Sequence, residues 1–131
     1  MRFVDTSFWV ALQFSRDSHH ADARALWQDS PHALITTNHV MGETWTFLRR
    51  RVGHGAARDF IDRAAQSTRI TVVHVEAPLE ADAWAWLRRH DERTYSFVDA
   101  TSFATMRSLR IAEALAFDDD FTAAGFVEIR P

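Results

Sequence analysis

The sequence contains no cysteine, no lysine and no long hydrophobic run. The absence of cysteine excludes disulfide bonds, thiolate nucleophiles and thiolate zinc sites, and it fits a reducing cytosol. No apolar segment approaches the ~20 residues that a membrane-spanning helix needs. The apolar run after Met1-Arg2 is too short for a signal peptide, and Asp5 interrupts it. We therefore expect a soluble, cytoplasmic domain with no membrane partner.

All 15 basic residues are arginine. Arginine suits bidentate recognition of phosphate, but we attribute the complete replacement of lysine to genome base composition. The net charge is −3, so no overall basic field attracts nucleic acid, although local charge matters more than the sum. Hydrophobic residues make up 47% of the 131 positions, which is enough for the core of one ordinary domain. We predict a single domain over residues 1–131.

Short apolar stretches alternate with helical patterns along the whole chain. The predicted strands are Arg2–Asp5, Ala33–Thr36, Arg69–Val75, Glu113–Phe117 and Phe126–Ile129. The predicted helices are Thr6–Phe14, His19–Asp29, His39–Arg51, Ala56–Gln66, a helix from Pro78 to Arg89 or His90, Phe97–Leu109, and a short piece between Asp118 and Gly125. This alternation predicts an α/β fold, with a mostly parallel sheet of four to five strands flanked by helices on both faces.

Capping and turn residues mark several of these boundaries. Pro31 disfavours a helical Ser30, so Ser30-Pro31 is expected to end the second helix. Asn38 is a suitable N-cap for the third helix, and Gly53-His54-Gly55 is expected to end it.

Two acids are predicted to follow strands. Asp5 ends the first strand just before a helix, which is the place where open α/β sheets bind ligands. Asp118 follows the fourth strand, and Asp99 lies in the first turn of the sixth helix. Parallel strands bring their carboxyl ends, and the starts of the following helices, to one edge of the sheet. Asp5, Asp99 and Asp118 are therefore expected to lie close together.

Helical spacing turns Glu43 and Asp99 inward. Val40 and Phe47 lie three and four residues from Glu43 and share its face. Phe103 and Met106 lie four and seven residues after Asp99 and share its face. Both acids are thus expected to be partly buried and to need a partner.

Asp5, Glu43, Asp99 and Asp118 together predict a cation site. Converging carboxylates cannot all ionise in a partly dry site without a counter-charge. Their hard oxygen atoms favour Mg²⁺ or Mn²⁺. Such a site suits hydrolysis of phosphodiesters, because the cation lowers the pKa of bound water and stabilises the attacking and leaving oxygens.

Each acid also has a structural interpretation when it is taken alone. Asp5 could cap the first helix, and Ser96-x-x-Asp99 matches a capping box. Asp118 could cap the short helix after it, or the Asp118–Asp120 run could be a solvated turn. Only Glu43 lacks an obvious structural partner, and it is the combination of the four that favours a metal site.

Three other features have competing interpretations. Arg49–Arg51 could bind RNA phosphate, but we favour cations at a helix C-terminus for at least two of them. The adjacent pair His19-His20 points in two directions and lacks zinc spacing, so it is expected on the surface at a helix start. Trp84 and Trp86 cannot face the same way on a helix; one of them could stack on a base, but packing is preferred.

Four motifs occur in this order: Val4-Asp5-Thr6-Ser7, Thr36-Thr37 with Glu43-Thr44, Ser96 to Phe103, and Leu115 to Phe121 with Gly125-Phe126. In these residues the chain resembles the PIN-domain ribonucleases, and among them the VapC toxins of bacterial toxin–antitoxin pairs. The resemblance covers essentially the whole chain. One departure is Ala116, where many relatives have a hydroxyl residue.

The resemblance implies a Mg²⁺- or Mn²⁺-dependent endoribonuclease that hydrolyses single-stranded or looped RNA. It implies that Asp5 and Asp99 are metal ligands, that Glu43 and Asp118 are the other acids of the site, and that Thr6 or Ser7 adds a hydroxyl. It also implies a cognate antitoxin and a homodimer.

Other functions remain open at this point. A housekeeping RNA-processing nuclease of the same fold would have no antitoxin. A non-catalytic RNA- or protein-binding module is less favoured, because acids are present at all four positions. A phosphoacceptor receiver domain needs a lysine in its pocket, and this chain has none.

Overall fold

The computed structural model describes residues 1–29 and 31–131. Its five strands form one sheet in the order β3-β2-β1-β4-β5, and all four neighbouring pairs are parallel. The strands are β1 (Arg2–Val4), β2 (Leu34–Thr37), β3 (Ile70–Val73), β4 (Glu113–Leu115) and β5 (Val127–Glu128). The predicted α/β fold with a parallel sheet is confirmed, although most strands are shorter than predicted.

The described residues form seven helices. They are α1 (Thr6–Gln13), α2 (His20–Asp29), α3 (Asn38–Arg51), α4 (His54–Gln66), α5 (Ala77–Arg89), α6 (Phe97–Leu109) and α7 (Asp120–Ala123). The bounds of α6 are those predicted from the sequence. The expected end of the second helix at Ser30-Pro31 depends on Ser30, which lies outside the described residues. In the described part of the chain, no helix combines the length and the apolarity needed to cross a membrane.

The path of the chain places the helices on both faces of the sheet. From β1 it runs outward to β2 and β3, and it then crosses to the other side of β1 to form β4 and β5. Because connections between parallel strands are right-handed, α1 to α4 cover one face, and α5 to α7 cover the other. The strand order therefore changes direction across the sheet between the parallel neighbours β1 and β4. Ligands of open α/β sheets bind at such a switch point.

The core lies between these layers and is rich in aromatic side chains. Its largest fully buried members are Trp9, Phe3, Phe8, Phe60, Phe103 and Phe121. Burial of each such side chain contributes about 1.5–3 kcal/mol. Every residue of α6 from 99 to 106 is buried, so this helix runs through the interior and brings its first turn to the sheet edge.

The structure changes the role of one predicted boundary residue, Asn38, and adds a second role to another, Gly53. Thr37, not Asn38, is the N-cap of α3, because its Oγ1 accepts the Val40 N–H at 3.1 Å. Asn38 lies inside the helix, and its Oδ1 accepts the Val75 N–H at 2.8 Å. Gly53 does follow the end of α3 as predicted, because its N–H donates to the Leu48 carbonyl at 2.9 Å, but it also begins α4, with a φ of 138° that favours glycine.

Candidate metal centre

A pocket of about 310 Å³ lies at the carboxyl ends of β1 and β4. Its lining includes all four acids singled out in the sequence, namely Asp5, Glu43, Asp99 and Asp118. A fifth acid, Asp17, also lines it. Among the described lining residues there is neither lysine nor arginine, and His19 is the one basic side chain.

Three of these acids form a tight cluster. One carboxylate oxygen from each of Asp5, Asp99 and Asp118 lies within 4.8 Å of the other two. Glu43 is outside this cluster and lines the pocket from α3. The predicted group of four is therefore a cluster of three with a fourth acid on the wall.

Asp5 is both the N-cap of α1 and a member of the cluster. Its Oδ2 accepts the Ser7 backbone N–H at 3.0 Å and the Ser7 hydroxyl at 2.6 Å. Its backbone N–H donates to the Leu115 carbonyl at 3.1 Å, which fixes it beside the end of β4. The side chain is 2% exposed. Capping thus fixes one oxygen of this carboxylate and leaves Oδ1 outside the cap.

Asp99, the third residue of α6, also belongs both to a capping motif and to the acidic cluster. Ser96 and Asp99 form the predicted capping box: the Ser96 N–H donates to Asp99 Oδ2 and the Asp99 N–H donates to Ser96 Oγ, both at 2.9 Å. Phe103 and Met106 on its face are fully buried, as predicted. Capping and membership of the acidic cluster are therefore compatible, because the cap uses only Oδ2.

Asp118 is the most exposed of the three acids. Its Oδ1 accepts the Asp120 N–H at 3.2 Å. Asp119, with φ of 66°, holds the N-cap position of α7 and makes no side-chain capping bond, so Asp118 is not the N-cap, although its side chain bonds the N–H of the first residue of that helix. Asp120 is paired instead with Arg93, whose Nε donates to Asp120 Oδ1 at 2.8 Å.

The three clustered carboxylates disfavour one another's ionisation. Burial raises the pKa of Asp5 well above its usual value, and the charge of Asp118 raises it further against the hydrogen bonds from Ser7. Burial, followed by the charges of Asp120 and Asp99, raises the pKa of Asp118 to about 6. Burial is also the main cause that raises the pKa of Asp99. A cation would relieve this repulsion.

The donor set fits a hard divalent cation. Carboxylate oxygens bind hard divalent cations in preference to softer metals. Thr6 adds a further oxygen to the pocket lining, because its Oγ1 is buried and has no hydrogen-bond partner among the described residues. The Ser7 hydroxyl, by contrast, is already engaged with Asp5 and with the Phe117 N–H at 3.0 Å.

Five lining residues were not expected in the site from the sequence, namely Val10, Asp17, His19, Phe47 and Phe117. His19 was expected on the surface, but it is half-buried and stacks on Phe117 with ring centroids 4.5 Å apart. Its neighbour His20 instead contacts the Ala11 carbonyl through Nδ1 at 2.7 Å. No local signal distinguishes the two histidines, because the partner of His19 is distant in sequence.

The remaining motif residues have structural contacts. Thr36 Oγ1 donates to the Val4 carbonyl at 2.9 Å and joins β2 to β1. Thr44 Oγ1 donates to the Val40 carbonyl within α3 at 2.7 Å. Arg49–Arg51 form the exposed last turn of α3, where cations are favoured. Trp86 is 8% exposed and Trp84 is 55% exposed, so the two point in different directions, as predicted.

Comparison with known proteins defines the class of this fold and site. The PIN domain family model matches residues 2–127, and the chain belongs to the PIN-domain family. Within that family it is similar to the VapC proteins. The 23S rRNA-specific endonuclease VapC20 of Mycobacterium tuberculosis is 59% identical over 133 aligned positions, which cover 100% of this chain and 99% of that protein.

Solved structures agree with this assignment. The crystal structure of Mycobacterium tuberculosis VapC20, described as a sarcin–ricin loop cleaving toxin, has a TM-score of 0.95 and 57% identity, with 100% of both chains covered. A toxin–antitoxin complex from Klebsiella pneumoniae has a TM-score of 0.66 and 14% identity over 94% of this chain and 91% of that chain. The second likeness shows a shared fold.

Proposed function

We propose that this chain is an endoribonuclease and the toxin of a type II toxin–antitoxin pair, and that it cleaves 23S rRNA at the sarcin–ricin loop. The observation that carries the proposal is the cluster of Asp5, Asp99 and Asp118, with oxygens within 4.8 Å of one another in a pocket. The substrate is inferred from VapC20, which matches over the whole length at 59% identity.

The cofactor we propose is Mg²⁺ or Mn²⁺. Asp5, Asp99 and Asp118 would hold it, and Glu43 would act from the pocket wall. When bound, such an ion supplies the positive charge that activates water and stabilises the attacking and leaving oxygens of the phosphodiester. It also offsets the repulsion between the pocket and an RNA phosphate, which five acids would otherwise impose.

The chain's own contribution is to hold the carboxylates in place before substrate arrives. Ser7 orients Asp5 and Ser96 orients Asp99, each through bonds to a single carboxylate oxygen. Such fixed geometry removes reorganisation from the reaction step. Because both acids sit at helix starts on the same sheet edge, their spacing is set by the packing of α1, α6 and the sheet.

We further propose two protein partners. A cognate antitoxin is inferred from the similarity to a VapC toxin, and a second copy of the chain is inferred from the sequence resemblance to the VapC toxins. Expression of the chain alone should stop growth, and coexpression of a neighbouring small gene should restore it. A housekeeping nuclease would show neither effect.

The test of activity is cleavage of a synthetic RNA hairpin that copies the sarcin–ricin loop. Cleavage should occur with Mg²⁺ or Mn²⁺ and stop with EDTA. Asp5→Asn and Asp99→Asn should each reduce kcat/KM by at least ~100-fold, because the ion supplies several kcal/mol of stabilisation. Asp59→Asn, on the exposed side of α4, is the matched control and should cleave normally. Undiminished cleavage by both site variants would overturn the assignment.

A further inference from the structure

The pocket has an apolar wall that the acidic cluster does not explain. Val10, Phe47, Phe117 and His19 form it, beside the carboxylates. The acids and a cation can bind the phosphate and the attacking water, but they provide no surface that binds a nucleobase. An aromatic surface beside a phosphate site is what an unpaired base needs, since every base has a face that can stack.

Two residues of this wall, Phe117 and His19, belong to a set of three near-parallel rings. Phe8 and Phe117 have centroids 5.9 Å apart and planes 17° apart. Phe117 and His19 have centroids 4.5 Å apart and planes 1° apart. Phe8 is fully buried, Phe117 is 9% exposed, and His19 is half-buried and lines the pocket. His19 and Phe117 both line the pocket, and His19 is the more exposed ring that a ligand there reaches more readily.

Hydrogen bonds fix the His19 and Phe117 rings in position relative to the three clustered acids. Asp17 Oδ1 accepts the His19 backbone N–H at 2.8 Å, which fixes the turn that carries the imidazole. The Phe117 N–H donates to Ser7 Oγ, and that hydroxyl donates to Asp5. Phe117 also directly precedes Asp118. One short chain of bonds therefore ties the ring surface to two of the three clustered acids.

We propose that the His19–Phe117 stack receives an unpaired nucleobase next to the phosphodiester that the chain cleaves. The inference rests on the proposed ribonuclease function and adds a base-binding subsite to it. A volume of about 310 Å³ is at the lower end of ligand pockets, which suits one extruded nucleotide rather than a paired duplex. The stack holds a base by its face, so it sets the position of the scissile bond and tolerates different bases.

The test compares substitutions of His19 on the same sarcin–ricin hairpin. His19→Ala removes the ring and should raise KM by roughly 10- to 100-fold, the range of one base–aromatic stack, with a smaller change in kcat. His19→Phe keeps a flat ring without a titratable group and should stay within about threefold of the wild type. His74→Ala removes an exposed histidine outside the pocket lining and is the matched control.

A second arm locates the base. Hairpins with a single abasic residue at each position near the cleavage site are cleaved by the wild type and by His19→Ala. For one position, the abasic change should raise the wild-type KM by about the same factor as His19→Ala, and it should have no further effect on that variant. This non-additivity is the signature of a direct contact.

Two results would overturn the subsite. One is a His19→Phe variant as impaired as His19→Ala, which would indicate a hydrogen-bonding or proton-transfer role. The other is equal sensitivity of both proteins to every abasic substitution. Failure of the proposed function gives a different result, because the wild type would then not cleave the hairpin at all. Circular dichroism of each variant excludes unfolding as the cause.

Discussion

Ser7 and Phe117, 110 positions apart in the chain, are joined by a hydrogen bond from the Phe117 N–H to the Ser7 hydroxyl at 3.0 Å. The same hydroxyl donates to Asp5 Oδ2 at 2.6 Å. This one oxygen therefore connects the start of α1, the segment after β4 and the acidic cluster. Ser7 thus supports the structure of the site, and its hydroxyl is already engaged by two hydrogen bonds.

Replacement of Ser7 by alanine should destabilise the protein by about 1–3 kcal/mol, because it leaves the Phe117 N–H without its partner. The affinity for Mn²⁺ should also fall, since Asp5 loses the bond that orients it. Urea unfolding and calorimetric titration measure the two effects. Ser108→Ala, at an exposed position of α6, should change neither. Wild-type values for both quantities in Ser7→Ala would contradict the supporting role.

Glu43 and Asp99 should differ in their importance, because only Asp99 belongs to the cluster of three. Asp99→Asn should reduce RNA cleavage by at least ~100-fold. Glu43→Gln should reduce it by roughly 10-fold, the lower end of the effects of neighbours of metal ligands. Single-turnover cleavage under saturating Mn²⁺ compares the two. Equal losses would place Glu43 among the direct ligands.

The metal-free protein should become less stable as the pH rises from about 4 to about 6. The pKa of Asp118 is about 6 in the folded chain and close to 3.9 in an unfolded one. Between these values the folded state binds more protons, so the free energy of unfolding falls with rising pH. The raised pKa values of Asp5 and Asp99 act in the same direction. Thermal unfolding in EDTA across this range measures the slope.

Saturating Mn²⁺ should oppose this slope, because only deprotonated carboxylates bind the ion. The stabilisation by metal should therefore grow as the pH rises above about 6. A metal effect of the same size at pH 5 and pH 7.5 would disprove the link between the cluster and the ion.

Asp118→Asn should stabilise the metal-free protein at pH 7.5 and flatten its pH dependence. The substitution removes a negative charge that raises the pKa of Asp5 and keeps nearly the same volume. Cleavage should nevertheless fall, so stability and activity would move in opposite directions. Asp29→Asn is a control on the exposed end of α2. A loss of stability in Asp118→Asn would show that its repulsion by the other acids is weak.

Trp84 offers a test of the proposed homodimer. It is 55% exposed and stacks on Phe97 with centroids 4.2 Å apart, so it presents a large apolar surface on α5. Trp84→Glu should shift the sedimentation coefficient from dimer to monomer with unchanged circular dichroism. Ile61→Glu, at an exposed apolar position of α4, should remain dimeric. A dimeric Trp84→Glu would place the interface elsewhere.

The features that were predicted correctly depend on neighbours in the sequence. The start of α6 follows from Ser96-x-x-Asp99, in which both partners of the capping box lie within one turn. The burial of Phe103 and Met106 follows from helical spacing. Alternation of strands and helices in turn fixed the parallel sheet, and the parallel sheet explains why Asp5 and Asp118 meet at one edge.

The incorrect predictions concern residues whose position depends on a contact with a residue far away in the sequence. Thr37 and Asn38 are both good caps, and Asn38 is drawn away by the Val75 N–H, 37 positions later. His19 resembles any polar residue at a helix start until Phe117 is brought against it. The fourth strand was predicted to extend to Phe117 because its apolar run continues, but the ladder ends at Leu115 and the last aromatic side chain packs on Phe8 and His19.

The double use of Asp5 and Asp99 as caps and as cluster members restricts how this chain can lose its activity during evolution. At position 5, the N-cap of α1, a change to a residue that cannot cap a helix costs about 0.5–2 kcal/mol in addition to any loss of catalysis. Asparagine or serine there would abolish the charge and keep the cap. At position 99 such a change would remove the acceptor of the Ser96 N–H. An inactive descendant that survives as a folded, antitoxin-binding decoy should therefore carry Asn or Ser at position 5, and at position 99 a residue such as Asn that still accepts the Ser96 N–H.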